Sequence, residues 1–243
     1  MMKQNQGKNK KWIIIAIVVV VLAIIGAGIA VAYNNGVFGD DEDCMCSAPP
    51  GVKQCRNCDP NIIYKPIIYL YPENDMDITV SLGYPELLTV DYPSYNNGWK
   101  VTASPNGNLK MNGHNYYALY YESQNKINFE KTDVGFIVES NSVASFLEEK
   151  LSILGLNEKE SEEFIIYWLP KLQTKDYVYI RFATAQEISE NMPLEINPEP
   201  DTTIRVLMLW KGLDKSESIT EQELVPVSRS GYTAVEWGGT EIK

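Results

Sequence analysis

The chain has 243 residues, of which 44% are hydrophobic and 22% charged, with 21 basic and 32 acidic side chains and a single histidine. The net charge of −11 repels phosphate backbones and argues against a nucleic-acid partner. One histidine is too few for a typical catalytic zinc centre.

Residues 1–11, "MMKQNQGKNKK", carry Lys3, Lys8, Lys10 and Lys11 and no acid. Residues 12–33, "WIIIAIVVVVLAIIGAGIAVAY", carry no charge at all. At the rise of an α-helix such a run reaches about 30 Å, the thickness of a bilayer's hydrocarbon core. It predicts a single-pass signal-anchor helix in the cell membrane. The flanking lysines keep the N-terminus cytoplasmic and place the C-terminal domain outside. The alternative is a cleaved signal peptide, with Ala30, Val31 and Ala32 as the small-residue cleavage site; the apolar run is longer than a usual signal core.

Residues 34–61 are rich in Asn, Gly, Asp and Pro and read as a linker or stalk. They hold all the cysteines: Cys44, Cys46, Cys55 and Cys58. Cys44–Cys46 closes too tight a ring, so the disulfide pairings are 44–55 with 46–58, or 44–58 with 46–55. A thiolate metal site and free or redox thiols are the competing readings; the spacing is short for a zinc ribbon, and no metal or cofactor is expected.

Residues 62–243 form the expected extracytoplasmic domain. "NIIYKPIIYLYP" reads as a strand, with Pro66 implying a sheet edge or a strand start. Strands follow at 77–82 and 87–92. Three Asn-Gly steps (97–98, 106–107, 112–113) then predict a meander with strands near 99–103, 108–111 and 115–122. "VGFIVE" (134–139) adds another. From Asn141 the period changes: Val143, Phe146, Leu147, Leu151 and Leu154 share one helical face. Asn157 and Glu160 resemble a capping box opening a second helix, with Phe164, Ile165, Trp168 and Leu169 buried and Pro170 marking its end. Strands resume at 177–184, 203–211 and 232–237. The fold class is α+β: mainly antiparallel, sandwich-like, about nine to ten strands with one helical-hairpin insertion, preceded by the transmembrane helix.

No nucleophile motif, calcium loop or phosphate-binding loop is present, and His114 follows an Asn-Gly turn that accounts for it. Carboxylates among aromatics, Glu122, Glu130, Asp133, Glu139 and Glu236, keep a glycosidase-like pair open, since such chemistry needs only two acids roughly 5–10 Å apart. Aromatics are the stronger signal. Tyr95, Trp99, Tyr120 and Trp237, with Glu122, are candidate binding residues, against the plainer reading of tyrosine as a strand-compatible core filler. In "NYYALYYE", alternation puts Tyr116, Ala118, Tyr120 and Glu122 on one face and Tyr117, Leu119 and Tyr121 on the other.

The segments "KPIIYLYPE" (65–73), "NNGWKVTASPNGNL" (96–109), "FLEEKLSILGLNEKESEEFIIYWLP" (146–170), "PDTTIRV" (200–206) and "VEWGG" (235–239) together resemble a group of bacterial extracytoplasmic proteins without an assigned activity. The resemblance implies a shared fold and export and carries no mechanism. Where that group tends to read Phe-Trp-Glu-Gly, this chain has "LYYES" (119–123), with Ser123 in place of Gly. The expected function is a non-catalytic binding module for a wall polymer, glycan or protein, held to the lipid bilayer through residues 12–33. A carboxylate-dependent hydrolase of envelope polysaccharide is the alternative.

Overall fold

A computed structural model describes residues 62–126 and 128–242. The expected membrane segment 12–33 and the four linker cysteines lie outside the described residues.

Eight strands make the larger sheet. They are β1 (Ile62–Tyr71), β3 (Leu88–Tyr92), β7 (Leu119–Gln124), β8 (Val134–Glu139), β9 (Tyr177–Phe182), β11 (Thr202–Leu213), β12 (Thr220–Glu221) and β13 (Thr233–Glu241). Their spatial order is β12-β8-β9-β11-β13-β1-β7-β3. The smaller sheet comprises β2 (Met76–Leu82), β4 (Trp99–Ala103), β5 (Leu109–Met111), β6 (His114–Tyr116) and β10 (Leu194–Asn197), in the order β10-β2-β4-β5-β6. Helices α1 (Val143–Ile153) and α2 (Glu158–Leu172) follow β8, and α3 (Ala185–Asn191) follows β9.

The two faces of the larger sheet bury different cores. Ile68, Leu70, Leu119, Leu207 and Leu209 face the smaller sheet, where they meet Val80, Trp99 and Val101. Ile67, Tyr69, Phe136, Val206 and Trp237 face the α1–α2 hairpin and meet Leu147, Phe164 and Trp168. The layers are therefore sheet, sheet, helices, because the central strands of the middle layer, β1, β9, β11 and β13, are buried on both sides.

The expected architecture requires correction. Among the described residues there are thirteen strands, not nine or ten, and three helices rather than one hairpin. Two strand pairs, β11 with β13 and β12 with β8, are parallel. No helix among the described residues is long and apolar enough to cross a membrane. Several local differences have clear causes. β1 is no edge strand: β13 and β7 flank it, and Pro66 sits instead at a bulge. The expected strand at 115–122 is two strands in different sheets, with the break at Tyr117 and Ala118. Pro170 lies inside α2, which runs on to Leu172.

Two features are as the residue pattern predicts. Val143, Leu147 and Leu151 form the buried stripe of α1. Asn157 and Glu160 make a reciprocal capping box at the start of α2: the Asn157 side chain accepts from the Glu160 N–H, and the Glu160 carboxylate accepts from the Asn157 N–H.

Candidate functional site

Lys65 is the place where β1 departs from regular geometry. Its φ is 63°, the left-handed region that a residue with a Cβ rarely occupies. Opposite β13, Tyr64 pairs with Gly239 and Ile67 with Trp237, so β1 carries one residue more than its partner there. That extra residue reverses the alternation. Ile63, Ile68 and Leu70 share the core facing the smaller sheet although their numbers differ in parity. Pro66, which lacks an N–H, fits the interrupted ladder.

The bulge aims Lys65 across the outer face of the larger sheet. Its Nζ lies 4.9 Å from the centroid of the Tyr120 ring and 5.6 Å from that of Tyr167 on α2. Lys171, one turn further along α2, sits 3.9 Å over the same Tyr167 ring. Glu122 stands two residues beyond Tyr120 on the same face of β7, within hydrogen-bonding reach of its hydroxyl. Burial, then the hydrogen bond and charge of Glu122, push the Tyr120 hydroxyl well above its ordinary value. Burial, with Glu122 and Tyr64 adding to it, raises Tyr167 to about 12. Burial lowers Lys171, and the Glu122 charge acts against that shift. The result is a half-buried group of two lysines, one carboxylate and two neutral phenols.

Further rings extend this surface. The Tyr69 hydroxyl donates to Glu163 of α2 at 2.6 Å. Tyr117 is 51% exposed at the point where the chain changes sheets, with Lys159 4.9 Å from its ring centroid. Hydroxyls and carboxylates offer hydrogen bonds, and ring faces offer apolar contact, side by side.

The raised tyrosines have a consequence for pH. A tyrosine whose folded value exceeds its unfolded value stabilises the fold fully below the unfolded value, about 10, and that contribution is lost as pH rises toward the folded value. Tyr69, Tyr71, Tyr120, Tyr121 and Tyr167 are all raised, chiefly by burial. The unfolding midpoint is therefore expected to hold up to about pH 10 and to fall steeply above it. Tyrosinate absorbance should rise together with loss of near-ultraviolet dichroism. Gradual ionisation of these phenols in a folded protein would contradict the assignment.

Of the residues singled out in the sequence, Tyr120 and Glu122 come together here. Tyr95, Trp99 and Trp237 are core residues. Tyr95 donates and accepts at the Leu82 backbone, Trp99 donates to the Pro93 carbonyl at 2.6 Å, and Trp237 packs on Phe164. Glu130, Asp133 and Glu139 are exposed on or beside β8, and His114 is exposed on β6. Glu236 is 3% exposed, with Tyr121 donating to one oxygen at 2.7 Å and Arg205 to the other at 2.7 Å. Among the described residues no group of three metal-ligating side chains converges. Lys65, Tyr167, Lys171 and Tyr117 were missed. With isoleucine at 62, 63, 67 and 68 the alternation reads alike in either phase, so the Lys-Pro step itself was the one available signal for the first of them.

No protein-family model matches the chain, and no solved structure matches it. It is similar to a Butyrivibrio fibrisolvens protein described as "uncharacterized protein in bglA 3′ region", 41% identical over 61 residues. That stretch is 24% of this chain and spans 64% of the relative's length.

Proposed function

We propose that residues 62–243 act as a non-catalytic binding module outside the cell, taking a glycan chain of the envelope on the face formed by β1, β7 and α2. The apolar segment 12–33 would be its contact with the bilayer. The observation that carries the reading is Lys65, held in a left-handed conformation so that its ammonium lies near two phenol rings beside Glu122. Such backbone strain costs about 1–3 kcal/mol and is commonly retained where a side chain must be aimed. A surface where the exposed Tyr117 ring adjoins half-buried phenols and hydrogen-bonding groups suits a sugar, whose rings present apolar C–H faces and a rim of hydroxyls. The hydrolase reading draws less support, because Glu236 is engaged with Arg205 and Tyr121 in the core.

The test is sedimentation of the full-length, detergent-solubilised chain with purified wall polysaccharide and peptidoglycan. Binding is expected, and Tyr117→Ala and Tyr120→Ala should each weaken it by about tenfold. Lys65→Gly separates strain from function. Glycine takes a positive φ freely, so stability should hold or rise while binding falls. Failure of both polymers to bind, or binding indifferent to all three substitutions, would overturn the proposal. Alkaline extraction checks the membrane part: the chain is expected in the pellet, and release to the supernatant would remove that part.

A further inference from the structure

The larger sheet ends unevenly. β12 pairs with only the first two residues of β8, Thr220 beside Val134 and Glu221 beside Gly135. The last ladder bond on that side runs from the Gln222 N–H to the Gly135 carbonyl. On its other side β8 is paired with β9 from Phe136, opposite Ile180, to Glu139, opposite Tyr177. Backbone groups alternate in direction along an antiparallel pair. The Ser140 N–H donates to Asp176, toward the β9 side, which sets the phase. Phe136 and Val138 therefore bond β9, and the N–H and C=O groups of Ile137 and Glu139 point away from it. Among the described residues no strand meets them.

They open into a groove of about 710 Å³. One wall is α1, through Ser145, Phe146, Glu149 and Lys150, and the other is the segment Ser216–Ile219 with Glu221. Phe136 and Phe146 meet edge to face at 5.0 Å at its base. The rim is acidic. Glu149 and Glu221 share Lys150, at 2.9 and 3.7 Å, and Glu139 has no ion-pair partner among the described residues.

We infer that this groove is a strand-addition site for an extended, basic peptide segment that pairs with Ile137 and Glu139 beyond the end of β12. Unpaired edge groups are a template for another chain, and the main chain supplies affinity while alternate side chains supply specificity. Side chains level with Phe136 and Val138 turn toward the Phe146 ring; those between them turn toward Ile219. A second copy of this chain fits poorly, because its own β8 edge would bring the same carboxylates against these. The site lies apart from Lys65 and does not depend on the glycan reading.

The probe is a fluorescently labelled peptide of alternating valine and lysine, titrated into the full-length protein and followed by anisotropy. Saturable binding is expected. Methylating alternate backbone nitrogens, which removes ladder donors and keeps every charge, should weaken it by about tenfold or more. The double substitution Glu139→Lys with Glu221→Lys lies on the exposed rim, should leave the fold intact by circular dichroism, and should weaken binding to a similar degree. A glutamate-for-lysine peptide should not bind. Equal binding of the methylated peptide would mean charge alone is read, and would overturn the proposal. So would no saturation by the valine–lysine peptide, or self-association of the protein that the peptide fails to reverse.

Discussion

Arg205→Met is expected to lower the unfolding free energy by about 3–5 kcal/mol. Arg205 and Glu236 lie directly opposite each other in the parallel β11–β13 pair. The guanidinium donates to the carboxylate through Nε at 2.7 Å and reaches the Met192 carbonyl through Nη2 at 2.5 Å. Tyr121 donates to the remaining carboxylate oxygen. Removing Arg205 leaves a carboxylate at 3% exposure with one phenol for company and strips the Met192 carbonyl of its donor. Burial of an unpaired charge dominates that loss. Replacing both partners, Arg205→Met with Glu236→Leu, removes the charge as well as the pair and should recover most of it. In a domain of this size the single substitution should lower Tm by roughly 10 °C, and the double substitution by much less. Additive losses in the double variant would show that packing, and not charge, is what the pair supplies. The result also bears on function: a carboxylate retained for core pairing should show its effect in stability.

The parts of this fold that were legible in the sequence are those governed by neighbours in the chain. β8 follows "VGFIVE" residue for residue, α1 follows the spacing of Val143, Leu147 and Leu151, and the start of α2 follows Asn157 and Glu160. The illegible parts depend on partners far away. Nothing in "NYYALYYE" announces that β6 belongs to one sheet and β7 to the other; the change is imposed by two separate cores, one claiming Leu119 and the other Ala118. β1 looked like an edge because of Pro66, when the bulge absorbs the missing donor. Helix α3 also carries a local signal: Thr184 and Glu187 form a capping box of the usual spacing. For the candidate site, Tyr120 and Glu122 were visible as an aromatic-acid pair on a strand. Their companions Tyr167 and Lys171 come from a helix some forty residues later, and only packing brings them near.

Gly239→Val is expected to cost about 3 kcal/mol or more, and it explains the run "VEWGG". Neither Gly238 nor Gly239 has the positive φ that calls for glycine; what they supply is space. A Cβ on Gly239 would lie 2.7 Å from Cζ2 of Trp168 and 2.9 Å from the Met208 carbonyl oxygen. Trp168 is wholly within the core beneath α2, so neither it nor the β11 backbone can retreat. Gly239→Ala should cost less, about 1–3 kcal/mol. Combined with Trp168→Phe, it should cost less than the sum of the two single changes, because the shorter ring vacates the contested volume. Gly238 faces a different neighbour: a Cβ there would lie 3.1 Å from the Pro66 nitrogen and 3.2 Å from the Tyr64 carbonyl oxygen. These atoms flank Lys65. Gly238→Ala should therefore leave most of the stability in place and shift the bulge, weakening polysaccharide binding while Tyr117 and Tyr120 are untouched. Urea unfolding beside the sedimentation assay distinguishes the two glycines. If Gly238→Ala binds like the unaltered chain, the pose of Lys65 does not matter to the ligand surface. If it loses binding with its fold intact, the two sequence runs "KPIIYLYPE" and "VEWGG" are halves of one device, a bulge and the space that admits it.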